Sequence, residues 1–70
     1  MTQYLPRPLA AEYLSERTNI RTTPQALADL ARSGRGPEFS IMRGRAIYTR
    51  DALDAWITTQ FERGLRREVA

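Results

Sequence analysis

Apolar residues near the start of the chain recur at helical spacing. Leu9, Tyr13 and Leu14 fall on one side with Ala10 beside them, while Glu12 and Glu16 lie off that stripe. Pro6 and Pro8 stand at the entrance, where a proline is tolerated because the first-turn N–H groups have no helical partner anyway. The pattern predicts an amphipathic helix from about Arg7 to Arg17. Thr18 to Thr22 has no periodicity and reads as a turn, with Ile20, its one apolar residue, expected to plug the space between two helices. A second stripe follows, formed by Leu27, Leu30 and Ala31. Thr23 is placed to cap it and Pro24 to occupy its first position, and Gly34 is suited to end it in the left-handed conformation. Gln25, Asp29, Arg32 and Ser33 share the opposite, polar arc.

Beyond the loop Gly34-Arg-Gly-Pro37 the period changes from helical to strand-like. Glu38 to Met42 and Arg45 to Thr49 are rich in β-forming residues and flank Arg43-Gly44, where the glycine can take the positive φ of a tight hairpin turn. A third helix is predicted from Thr49 or shortly after to about Arg63, with Asp51 and Asp54 near its positive end and Gly64 as its stop. Leu53, Trp56, Ile57, Gln60 and Phe61 share one of its faces. The predicted core is Leu9, Tyr13, Leu14, Ile20, Leu27, Leu30, Phe39, Ile47, Leu53, Trp56 and Ile57. The fold class expected is mainly α with a small β-hairpin, in the order helix, helix, hairpin, helix: a winged helix-turn-helix over residues 1–64. A short basic tail, residues 65–70, is expected to be disordered or to serve self-association.

Composition narrows the chemistry. The 70 residues contain no cysteine and no histidine, so disulfides, thiolate metal sites and the commonest general base are all missing. The eight carboxylates are scattered through ordinary helical positions. The expectation is a protein with no enzymatic activity, no catalytic residue, no metal and no cofactor or small-molecule ligand. No basic stretch leads into an apolar run at the N-terminus, and no apolar run nears the roughly 20 residues that span a bilayer. A soluble, cytoplasmic protein without membrane contact is expected.

The formal charge is +3, and all eleven basic residues are arginine. A GC-rich genome would also favour arginine codons, so placement has to decide what the arginines do. Arginine presents a planar fork of donors that fits phosphates and guanine edges. Arg21, Thr22, Thr23 and Gln25 gather at the start of the second helix, and Arg32 lies further along its polar face. Arg43 and Arg45 flank the hairpin turn. In a helix-turn-helix the second helix enters the major groove, where Gln25 could read adenine and Arg32 a guanine or a phosphate. Thr22, Thr23 and the free helix N–H groups suit phosphates. A solvated helix face would carry similar residues, and Asp29 would repel phosphates unless paired with Arg32 or Arg21. Double-stranded DNA is the expected partner. A protein-interaction adaptor or antirepressor is the alternative from another class; RNA fits less well, for want of an exposed aromatic platform.

These segments also resemble a family. Leu9-Ala-Ala-Glu-Tyr-Leu14 resembles the first helix of the small excisionase and phage-regulator proteins with MerR-like winged helices. Gly34-Arg-Gly-Pro37 followed by Phe39 is similar to their helix-to-wing connection, and Gly44-Arg-Ala-Ile-Tyr48 leading into Asp51-Ala-Leu-Asp-Ala-Trp-Ile57 to their wing and final helix. The stretch from Ser15 to Thr23 is longer than that family's tight turn, and no long C-terminal helix of the MerR dimer type is expected. The resemblance implies a DNA-binding protein of a mobile element. One form is an excisionase (a recombination directionality factor) that binds adjacent sites cooperatively, self-associates on DNA and bends it to assist an integrase. The other is a transcriptional regulator using the same fold.

Overall fold

The computed structural model describes residues 3–69, and side-chain surroundings through Gly64. In chain order the elements are β1 (Tyr4–Pro6), α1 (Arg7–Thr18), α2 (Pro24–Ser33), β2 (Ser40–Met42), β3 (Arg45–Thr49) and α3 (Arg50–Val69). The fold thus combines three helices with one small antiparallel sheet of strand order β1-β3-β2.

Local chemistry sets the limits of α2. The Thr23 hydroxyl accepts from the Ala26 N–H at 3.1 Å, Pro24 occupies the first turn, and Gly34 closes the helix at φ 74°. The α1 boundary is set at its far end by Asn19 in the left-handed conformation, φ 58°, which asparagine tolerates better than most residues. α1 extends to Thr18, so the connection to α2 is Asn19 to Thr23, the same length as the expected Thr18–Thr22 turn and one residue further along. Ser15 locks it: its hydroxyl accepts from the Thr22 N–H at 2.8 Å and lies 3.1 Å from the Thr22 carbonyl, which it can donate to. The hairpin turn is made by Arg43 at φ 52° and Gly44 at φ 77°. Two consecutive positive φ values are the geometry whose twist suits a two-residue hairpin.

The N-terminal strand departs from the sequence-based expectation. β1 turns the two-stranded hairpin into a three-stranded sheet by pairing with β3, Leu5 opposite Tyr48 and Pro6 opposite Ile47. A proline can stand there because β1 is an edge strand and its missing N–H disrupts no central ladder. This pairing fixes which face of β3 turns inward. Tyr48 is buried and Ala46 packs against the core, while Ile47, the expected core residue, points to the other face and is half-buried.

The core is Ala10, Ala11 and Leu14 of α1, Leu27 of α2, Tyr48 of β3 and Leu53 of α3. Leu5, Tyr13, Leu30, Ala46, Trp56 and Ile57 pack around it, half-buried. Three predicted core residues are exposed instead: Leu9 at 49%, Ile20 at 69% and Phe39 at 38%. Ile20 does not plug the interhelical space, because the short Asn19–Thr23 connection lets α1 and α2 meet through Leu14 and Leu27 and holds its tip outside them. Leu9 lies beyond the edge of a stripe that Ala10, Ala11 and Leu14 define, so the buried arc of α1 is rotated from the one its larger residues suggest.

The last helix also runs further than expected. It passes through Gly64 and ends at Val69, 20 residues from its start, so Gly64 is no stop. Gly64 is absent from the positive-φ glycines, Gly34 and Gly44, and Leu65 to Glu68 are good helix formers. The side chains of residues 65–70, where a tail contact between protomers is expected, lie outside the described residues. Thr49 opens α3 by accepting the Ala52 N–H at 3.1 Å, and Asp51 complements the positive helix end. Among the described residues no helix is long and apolar enough to cross a membrane.

Candidate nucleic-acid interface

The seven residues singled out from the sequence fall into two groups on different elements. Arg21, Thr22 and Thr23 occupy the α1–α2 connection, and Gln25 and Arg32 sit on α2. Arg43 and Arg45 sit at the β2–β3 turn. α2 packs against α1, and α1 also packs against β1 and β3, so the two groups sit on different elements carried by the same helix.

The connection offers less free chemistry than its composition suggests. The Thr22 hydroxyl lies 3.2 Å from the Ile20 carbonyl, to which it donates, and its backbone N–H is taken by Ser15. Thr22 is half-buried and serves the turn. Thr23 spends its oxygen on the Ala26 N–H but keeps a hydroxyl hydrogen to donate outward. Arg21, between them, is exposed and has no carboxylate partner among the described residues.

On α2 the polar face is internally connected. Gln25 Nε2 donates to Asp29 Oδ1 at 3.1 Å, and Arg32 Nη1 stands 3.7 Å from the same oxygen. Both ionic side chains are well exposed, 77% for Arg32 and 59% for Asp29, so water screens the pair and either partner is readily given up to a stronger one. Asp29 thus finds the partner its surroundings required.

The hairpin tip is simpler. Arg43 and Arg45 are exposed and have no carboxylate partner among the described residues. β2 is exposed throughout, with Ile41 and Met42 among the most open apolar residues. The tip stands clear of the core on a strand pair whose register is pinned by Ile41 opposite Ala46 and Met42 opposite Arg45.

Two further arginines belong to this description. Arg35, one residue past the α2 cap, is exposed and its backbone is fixed at both ends. Its N–H donates to the Leu30 carbonyl at 3.0 Å and its carbonyl accepts from Trp56 Nε1 at 2.8 Å. Gly36 beside it passes so close to Leu30 that a Cβ would approach the leucine Cβ to 2.9 Å. The sequence signal for Arg35 was its place between two loop glycines. Arg7, at the start of α1, donates from Nε to the Tyr48 hydroxyl at 3.2 Å, and its guanidinium lies 5.5 Å from the Phe39 ring centroid. Phe39 is therefore a lid on Arg7 and Tyr48 rather than a core residue; its ring centroid is 5.5 Å from that of Tyr48.

Comparison of the chain with protein-family models, with curated proteins and with solved structures found no match.

Proposed function

We propose that this chain is a double-stranded DNA-binding module of the winged helix-turn-helix type, with α1 and α2 as the helix-turn-helix and β2–β3 as the wing. The observation that carries the reading is that two exposed, structurally fixed projections bear arginines: α2, capped at its N-terminus, with Arg21 before it, Arg32 on it and Arg35 after it, and the Arg43–Arg45 tip. A helix of this kind fits the major groove, and a basic hairpin tip fits the minor groove or the flanking phosphates. Arg21, Thr23, Gln25, Arg32, Arg43 and Arg45 are the proposed contacts, with Arg35 added; Thr22 acts through the turn.

The resemblance to excisionase and phage-regulator proteins supports a role on a mobile element, as an excisionase that binds adjacent sites and bends DNA to help an integrase, in the cytoplasm. Transcriptional regulation stands beside it as the second role: α3 is 20 residues long, about 30 Å, longer than the C-terminal helix expected from the sequence.

The test is a titration of random-sequence duplex at low salt, followed by protection mapping on the element's attachment site and on its own promoter. Binding to random duplex supports the DNA module; an adaptor or antirepressor would barely bind. Protection of several adjacent attachment-site repeats supports the excisionase, and protection of the promoter alone supports the regulator.

A further inference from the structure

Two side chains of α2, Gln25 and Arg32, converge on one oxygen of a third, Asp29. Asp29 Oδ1 accepts from Gln25 Nε2 at 3.1 Å and lies 3.7 Å from Arg32 Nη1. At helical spacing residues 25, 29 and 32 lie within about 60° of the circumference, so all three would meet the same few base pairs. A carboxylate in the middle of a face proposed to meet DNA repels phosphate. Nor is it needed to hold the helix, because an exposed pair of this kind adds only tenths of a kcal/mol.

We propose that Asp29 is a positioning residue that sets the orientation of the Gln25 amide and so determines which base this helix reads. The inference rests on the DNA-binding reading above. An ionised carboxylate only accepts hydrogen bonds, so the atom of the Gln25 amide turned toward it must be Nε2. That choice fixes where Oε1 lies. It spends one of the two amide hydrogens and leaves the other N–H beside a free Oε1, in one order around the amide. A donor and an acceptor side by side match the N7 acceptor and N6 donor that adenine presents in the major groove. Without Asp29 the amide can turn over and rotate, and the two orders compete.

The Arg32 contact gives Asp29 a second effect. While Arg32 is drawn to Asp29 its charge is partly cancelled for phosphates, which weakens binding to every sequence alike. Affinity for all sequences is thereby held down by the same factor, and the ratio of specific to random binding is left to the Gln25 contact.

Two substitutions separate the effects. Asp29→Asn removes the charge that holds Arg32 and keeps an oxygen that can accept from Gln25, but adds an amide N–H that can donate to Gln25 Oε1. Asp29→Ala removes both the charge and the oxygen. Position 29 is exposed and alanine is favourable within a helix, so both variants should fold, which far-ultraviolet circular dichroism checks. Each protein is used to select binders from a randomised duplex pool, and its affinity for the unselected pool is measured. The wild type should enrich adenine at one position, and Asp29→Asn should keep only part of that preference, because its amide can pair with that of Gln25 in either order. Asp29→Ala should lose it roughly ten-fold, as should Gln25→Ala, with no further loss in the double variant. Both Asp29 variants should bind the unselected pool about five-fold more tightly at 0.1 M salt, with a steeper salt slope.

An Asp29→Ala protein that keeps the wild-type base preference overturns the proposal, whatever its affinity, and leaves the DNA-binding reading standing. A wild-type protein that fails to bind the unselected pool overturns both.

Discussion

The Tyr13 hydroxyl donates a 2.6 Å hydrogen bond to Asp54 Oδ1, joining α1 to α3 across 41 residues of sequence. The same carboxylate lies 3.8 Å from Arg17, and the Tyr13 ring sits beneath the guanidinium groups of Arg17 and Arg50 at 5.9 and 5.3 Å. A tyrosine that reads as one more apolar position on a helical stripe is thus the hub of a polar clasp between the first and last helices. Tyr13→Phe keeps the ring and deletes the bond. It should cost about 1–2 kcal/mol, or roughly 5–15 °C in Tm for a domain this small. An unchanged melting curve would mean that the clasp contributes nothing.

Burial separates apolar residues that the sequence alone could not rank. Leu14→Ala and Leu27→Ala remove buried side chains and should each cost about 2–5 kcal/mol, enough to leave much of a marginal domain unfolded. Ile20→Ala and Phe61→Ala, at 69% and 67% exposure, should fall within about 0.5 kcal/mol of the parent. Urea denaturation of the four variants checks the contrast, and a large loss for Ile20→Ala would restore it to the interhelical space.

These differences have a common physical cause. Signals carried by neighbouring residues were legible: the Thr23-Pro24 cap, the Gly34 stop and the Arg43-Gly44 turn are each set by local backbone chemistry. Features set by distant partners were not. β1 is three residues long, and its reason for being a strand is Tyr48 and Thr49, more than 40 positions away. Once it pairs, the inward face of β3 belongs to Ala46 and Tyr48, and the apolar Ile47 is left on the other side. The candidate site was legible as a set of residue types. What those types hid was their mutual engagement: Thr22 with Ile20 and Ser15, and Gln25 and Arg32 with Asp29.

The tip of the hairpin allows fold and binding to be tested apart. Arg43 holds φ 52°, a region that asparagine enters at less cost than arginine does. Arg43→Asn should therefore leave the melting temperature unchanged or slightly higher while weakening binding to all duplexes. Arg45→Ala should weaken binding in the same sequence-independent way. A loss confined to one DNA sequence would assign the tip to base reading instead of phosphate contact.

Gly64 tests the length of α3. A Cβ there meets no atom within 4 Å, and the residue lies inside a helix rather than at its end. Gly64→Ala should stabilise the helix by about 0.5–1 kcal/mol and raise the helical circular dichroism signal. If Gly64 terminated α3 in a left-handed turn, the same substitution would lower stability.

The central claim is that this fold presents arginines to a polyanion, and the salt dependence of DNA binding addresses it most directly. Fluorescence anisotropy of a short random-sequence duplex, titrated between about 50 and 200 mM salt, gives the slope of log affinity against log salt. With about five arginines neutralising phosphates, that slope should lie near −4 to −5. A slope near zero, or no binding at the lowest salt, would contradict the account.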